Sequence, residues 1–175
     1  QALLAALGAA ADEHRIRIWS AHDDEQSVLA ASSLGGTLPT DRDGEATVGV
    51  LLNDTTGGKM DYYARAEVGV ATGICDGIPT TQVRVTWSND APQDAATSLP
   101  TYVTGGGQYG VDPGSVRTLI AVYGPEGSVF AGSQRDGAEE PVQTALLGTR
   151  PVVQHEVVLA PGESTTVVAE FRDGG

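Results

Sequence analysis

The chain is poor in most of the residues that mark specialised chemistry. Its 175 residues include one cysteine, one lysine and one methionine. Cys75 stands alone, so an intrachain disulfide and a multi-cysteine zinc site are both excluded. Aromatic residues make up 5% of the chain, which leaves a core to be built from small and β-branched side chains. Basic charge is scarce. One lysine and nine arginines face 23 acidic residues, giving a net charge of −13. Phosphate backbones are bound by neutralising them with Lys and Arg, so a nucleic-acid partner is not expected. Nor is there a polybasic cluster for an anionic membrane surface. No apolar run reaches the length of a membrane span, so direct membrane insertion is not expected of this chain. It opens on QALLAALGAAADEH, without a start methionine or a positively led signal, and reads as a piece of a longer protein.

What is present is β pattern. Hydrophobic residues are 40% of the total, enough for a real core in one domain of this length. Residues 1–40 read as a small α/β segment, helix–strand–helix, taken as the end of a larger upstream domain. ALLAALGAAADEH is helix-prone. RIRIW at 15–19 alternates like a strand. SAHDDEQSVLAASSLGG has Ser20 as a cap, acids in its first turn and Gly35-Gly36 as a stop. Residues 41–175 turn to period two. ATVGVLL aligns Ala46, Val48 and Val50. YARAEVGVATGIC aligns Val68, Val70 and Ile74, with Arg65 and Glu67 opposite. TQVRVTW sets Val83, Val85 and Trp87 against Gln82, Arg84 and Thr86. TLIAVY, GSVFAG, PVVQHEVVL and STTVVAEF follow, separated by DGIP, NDAP, DPG, GPEG, RDG and APGE. This pattern predicts a mainly β protein, an immunoglobulin-like antiparallel β-sandwich. Residues 88–114 form the longest stretch without strand pattern.

Catalytic and metal motifs fail one by one. A phosphate-binding loop needs a glycine five residues before Gly58 and a hydroxyl after Lys59, but Asn53 and Met60 stand there. GGGQYG at 105–110 has the glycine spacing of a dinucleotide loop, yet Val111-Asp112-Pro113-Gly114 follows instead of a helix. DRDGE at 41–45 starts like a calcium loop and lacks its later ligands. His14, His22 and His155 are scattered, so neither a metal nor a cofactor is expected; His155 fits a packed strand position. No G-x-S-x-G elbow occurs, and a triad gathered from distant residues has no positive sign in the sequence. Lys59 beside strand ends carrying Asn53 and Asn89 bears a superficial likeness to a lysine–asparagine crosslink, but its two preceding glycines point to a wet loop edge. Binding capacity is left to Lys59, Asp61, Tyr62, Tyr63, Tyr102 and Tyr109. Tyrosine pairs an apolar ring with a polar tip and suits exposed recognition. These residues form one aromatic patch only if the loops at 53–63 and 99–112 share an end of the fold. The plainer reading makes Tyr62 and Tyr63 half-buried neighbours of the core.

Four stretches, in order, carry a resemblance: RIRIWSAHDDEQSVLAASSLGGTLP, VGVLLNDTTGGKMDYY, VTWSNDAPQDAATSLPTYVTGGGQYGVDPGSVRTLIAVYGP and RPVVQHEVVLAPGEST. They resemble the C-terminal part of a family of actinobacterial membrane-anchored proteins, domain of unknown function 4012. N-D-x-T-G-x-K-M-D-Y-Y and S-L-P-x-Y-V-T-G-G-G are its most distinctive pieces, and L-A-P-G-E-S looks like the last hairpin of many bacterial immunoglobulin-like sandwiches. The resemblance implies an extracytoplasmic body at the cell envelope and a membrane anchor outside these residues. It brings no catalytic residue. The expectation is therefore a non-enzymatic scaffold or recognition module at the cell wall. Its partner would be cell-wall polysaccharide or another envelope protein. One alternative is an accessory domain of an enzyme acting on envelope glycan or lipid-linked precursors. Another is a protein–protein assembly module, which an exposed apolar patch would favour. Within this reading, 53–63 is a strand–loop–strand corner, with Asn53 and Asp54 ending a strand, Gly57 and Gly58 turning the chain, Lys59 placed to pair with Asp61 or a loop carboxylate, and Tyr62 or Tyr63 packing inward.

Overall fold

The computed structural model describes residues 2–13, 15–32, 34–36, 38, 41 and 45–175. The chain divides into two compact units, residues 1–39 and 40–175. The first holds helix α1 (Ala2–Asp12) and helix α2 (Asp23–Ala30). α1 is Ala/Leu-rich and leaves Leu3, Leu4 and Leu7 exposed. α2 starts on three acids, which suit the positive end of a helix. Three expectations need correcting here. RIRIW forms no strand: Ile18 N–H bonds to the Leu34 carbonyl at 2.9 Å, and among the described residues of this unit no strand offers a ladder. Alternation alone does not make a strand without a partner. The cap position falls on His22, two residues after Ser20. Ser20 instead donates its hydroxyl to Glu25 at 2.6 Å, and its N–H bonds to Gln26 at 2.9 Å. The helix also stops at Ala30, before the Gly35-Gly36 pair. His14 and residues 42–44 of the DRDGE stretch lie outside the described residues.

The second unit is an antiparallel β-sandwich. Its strands are β1 (Gly49–Asp54), β2 (Ala64–Cys75), β3 (Ile78–Asn89), β4 (Val116–Tyr123), β5 (Val129–Arg135), β6 (Ala138–Glu139), β7 (Gln143–Leu147), β8 (Arg150–Leu159) and β9 (Ser164–Arg172). One sheet runs β1-β4-β8-β7 and the other β2-β3-β9-β5-β6. β6 and β7 were not foreseen; AE and QTALL are too short and too exposed to show a pattern. The expected alternation holds on β3, where Val83, Val85 and Trp87 are buried and Arg84 is exposed. Valine dominates the core, with Phe171 and Met60 the largest fully buried side chains. Asp76-Gly77 and Asp136-Gly137 make the β2–β3 and β5–β6 turns, both residues of each pair at positive φ, as two-residue hairpins favour.

The connections sort to two poles. The β1–β2, β3–β4 and β8–β9 links gather at one. The start of β1, the end of β9 and the β2–β3, β4–β5 and β7–β8 turns gather at the other, as the strand registers require. At this second pole Arg150 is buried. Its guanidinium donates to the carbonyls of Thr47 (2.8 Å) and Gly124 (3.0 Å) and pairs with Asp41 and Glu126, each at 3.2 Å. Burial pushes the Asp41 carboxyl up, but hydrogen bonds from Thr47 and the Arg150 charge outweigh it and hold it below the usual range.

Candidate functional site: a two-loop tyrosine corner

The first pole holds the candidate site. β1 ends at Asp54, whose carboxylate accepts from the Thr56 N–H at 2.9 Å and turns the chain. Thr56 is buried, and its hydroxyl accepts from the Arg117 N–H at 2.9 Å, extending the β1–β4 ladder with a side chain. Gly57 follows at φ +76, and the Tyr109 ring lies on it: a Cβ there would meet that ring at 2.3 Å. Gly58 passes as closely, with its missing Cβ 2.5 Å from the Val103 carbonyl. The Lys59 N–H then donates to that carbonyl at 2.7 Å. Gly58 is needed because two backbones touch here, and Gly57 because of its positive φ and the ring seated on it.

Met60–Tyr63 make one 3-10 turn, which was not foreseen. Met60 is fully buried and pins the turn to the core, while Tyr63 packs beside it. Tyr62 points out, 75% exposed, with its ring edge-on to Tyr63 at 5.1 Å. The facing loop is not featureless. It forms the short helical turns Ala95–Ser98 and Thr101–Thr104, with Val103 packed on the core. That anchor leaves Tyr102 also 75% exposed. Lys59, Asp61, Tyr62, Tyr63, Tyr102 and Val103 line one shallow cleft of about 430 Å³. Tyr109 is in the same loop pair, seated on Gly57, and is not among the lining residues. The expected Lys59–Asp61 ion pair is not formed among the described residues; both side chains face the cleft.

Asn89 was considered above for a crosslink to Lys59. It is fully buried and already engaged. Its amide donates to the carbonyls of Gly114 (2.9 Å) and Leu159 (3.1 Å), and its oxygen accepts from the Ala91 N–H at 3.1 Å. Lys59 instead lines the open cleft, so the buried amine that such a crosslink needs is not there.

One constellation was invisible in the sequence. His155 Nδ1 lies 2.9 Å from Glu140, and Nε2 lies 3.2 Å from the Ser133 hydroxyl. Glu140 also pairs with Arg135. A carboxylate only accepts, so in the neutral ring Nδ1 carries the hydrogen and Nε2 is left to accept from Ser133. The distances suit a nucleophile relay, but the direction does not. Glu140 is the partly exposed end, the imidazole is wholly buried, and the serine contact is buried between the sheets. The Val168 carbonyl lies 3.1 Å from the same hydroxyl, whose single hydrogen serves either Nε2 or that carbonyl at one time. The relay therefore ends in the core, and it serves to tie β5, β8 and the β6–β7 crossover. Burial lowers the His155 pKa, and the opposing pull of Glu140 does not reverse this. Asp136 is likewise held below the usual carboxylate range, by the Thr166 N–H and the Thr165 hydroxyl. The Asp136 and Asp41 carboxyls are both shifted down, the opposite of the raised carboxyl of an acid catalyst. Among the described residues no cluster of His, Cys, Asp and Glu is placed to hold a metal. Among the described residues no helix is long and apolar enough to cross a membrane.

Comparison of the chain with protein-family models, curated proteins and solved structures finds no match.

Proposed function

We propose that this chain is a non-catalytic recognition module of a membrane-anchored envelope protein, working outside the cytoplasm at the cell wall. Its contact surface is the tyrosine corner, and its ligand class is envelope polysaccharide. One observation carries the reading: two exposed tyrosines from separate loops flank one cleft, and a backbone hydrogen bond locks those loops together. Sugar rings present apolar C–H faces that stack on tyrosine, while their hydroxyls accept hydrogen bonds from Lys59 and donate them to Asp61. A locked corner loses little conformational freedom on binding. The two pieces that most distinguish the resemblance to the domain of unknown function 4012 family are the two that interlock here, NDTTGGKMDYY and SLPTYVTGGG. That resemblance supports the cellular part of the reading.

The test is co-sedimentation with purified actinobacterial cell wall. Saturable binding is expected for the unaltered chain. Tyr62→Ala and Tyr102→Ala should each weaken it about tenfold, the ordinary cost of removing an exposed aromatic anchor. Both side chains are mostly exposed, so thermal unfolding should stay unchanged. Absence of binding by the unaltered chain would sink the proposal.

A further inference from the structure

Arg117, near the start of β4, touches both loops of the tyrosine corner. Its main chain extends the pairing with β1: the Thr55 N–H donates to the Arg117 carbonyl at 2.9 Å. Its side chain goes further. Nη2 lies 3.2 Å from the Thr55 carbonyl in one loop and 3.3 Å from the Tyr109 carbonyl in the other. That nitrogen carries two hydrogens, so it can donate to both carbonyls at once. The bridge joins the same two loops as the bond from Lys59 to Val103. The Tyr109 ring rests on Gly57, two residues after Thr55, so the bridge and the ring seat lie close together.

Charge pairing does not account for this arginine. Among the described residues it makes no ion pair. Stability does not account for it either. Its Nε is shut away from solvent with no partner among the described residues, and an unpaired buried donor carries a cost. Val116 and Thr118 are the β4 residues that face the core here, so an apolar side chain at 117 would leave the core intact. A side chain kept against a local cost is expected where geometry matters to function. We infer that Arg117 is a positioning residue of the corner. Its guanidinium fixes the spacing of the two loops that carry Tyr62 and Tyr102, and it acts through those loops, not by contact with the ligand. The inference rests on the reading of the corner as a contact surface. Loops already held at the right spacing lose little freedom when polysaccharide binds.

Arg117→Met, Arg117→Lys and Arg84→Met test this in the full chain. Methionine removes the donors, whereas lysine keeps a charge and three N–H groups that can reach both carbonyls. Arg84 is exposed on the other sheet, so its loss changes the net charge equally. Hydrogen exchange of the unliganded chain comes first. In Arg117→Met the Lys59 amide should exchange about tenfold faster, while the β4–β8 ladder stays protected. The Tyr109 contact is exposed, so water replaces the lost donor there, and the unpaired Nε is gone. The urea midpoint should therefore hold. Binding to purified actinobacterial cell wall should weaken about tenfold in Arg117→Met. Arg117→Lys should recover most of both losses, and Arg84→Met should move neither. Unchanged Lys59 exchange would overturn the inference, and so would a binding loss that Arg84→Met reproduces or that tracks a fall in midpoint. Absence of wall binding by the unaltered chain would instead sink the contact reading, and the exchange result would still decide whether Arg117 spaces the loops.

Discussion

Asn89 shows how one buried polar side chain organises several loops. Its three side-chain hydrogen bonds reach Ala91, Gly114 and Leu159, and its main chain pairs with Gly162 and Glu163. It thereby ties the end of β3 to the approach of β4 and to the β8–β9 hairpin. Removing the side chain strands two carbonyls and one N–H away from water. Asn89→Ala should therefore cost about 3 kcal/mol, read from the shift in urea midpoint. Asn89→Asp should cost at least as much, because a carboxylate oxygen would then face two carbonyls. A loss under about 0.5 kcal/mol, the range of an ordinary surface change, would refute this role. The residue was legible only as an asparagine at a strand end. Its partners lie 25 and 70 residues away, and no local pattern encodes them. The same holds for His155, whose strand position was readable while Ser133 and Glu140 beside it were not.

Strands that bury one face were legible because period two is a direct record of that burial. β3 and β9 alternate as expected. β2 alternates in sequence as well, but its apolar row faces an opening, since a pattern records which face is apolar and not what covers it. β7 left no pattern because both of its faces are exposed. The corner at 53–63 was readable as a turn, and the close approach of the second loop was not. Its lock makes the two loops one element. Gly57→Ala would place a methyl group in the Tyr109 ring and would force a non-glycine residue to φ +76. A loss of about 2 kcal/mol is expected, with a matching rise in proteolysis of both loops together. Cleavage rising in the 53–63 loop alone would mean that the loops move independently.

For the molecule as a whole, the shifted groups set how stability responds to pH. His155 has a native pKa below its ordinary 6.5. Above 6.5 both states carry the neutral ring and the contribution is complete. As pH falls below 6.5 the unfolded chain takes up the proton first, so stability declines until the lowered native pKa is reached. Asp41 and Asp136 act further down. Their native pKa values lie below 3.8, so their contribution holds above 3.8 and is lost as pH falls through the lowered values. Urea midpoints should thus decline in two stages, and His155→Leu should abolish the first. A first stage that persists in that variant would assign it elsewhere. The two-pole layout has a mechanical consequence. β1 enters and β9 leaves at one pole, in different sheets, while the tyrosine corner occupies the other. Tension applied through the two ends of the sandwich would fall first on the Arg150 cluster, which clasps Asp41 and Thr47 to β8. Past that clasp, β1 would peel from β4 one hydrogen bond at a time, beginning at Gly49 and reaching Asp54 last. The corner is then the last part of the domain to feel a pull, and a grip exerted there outlasts the early stages of stretching.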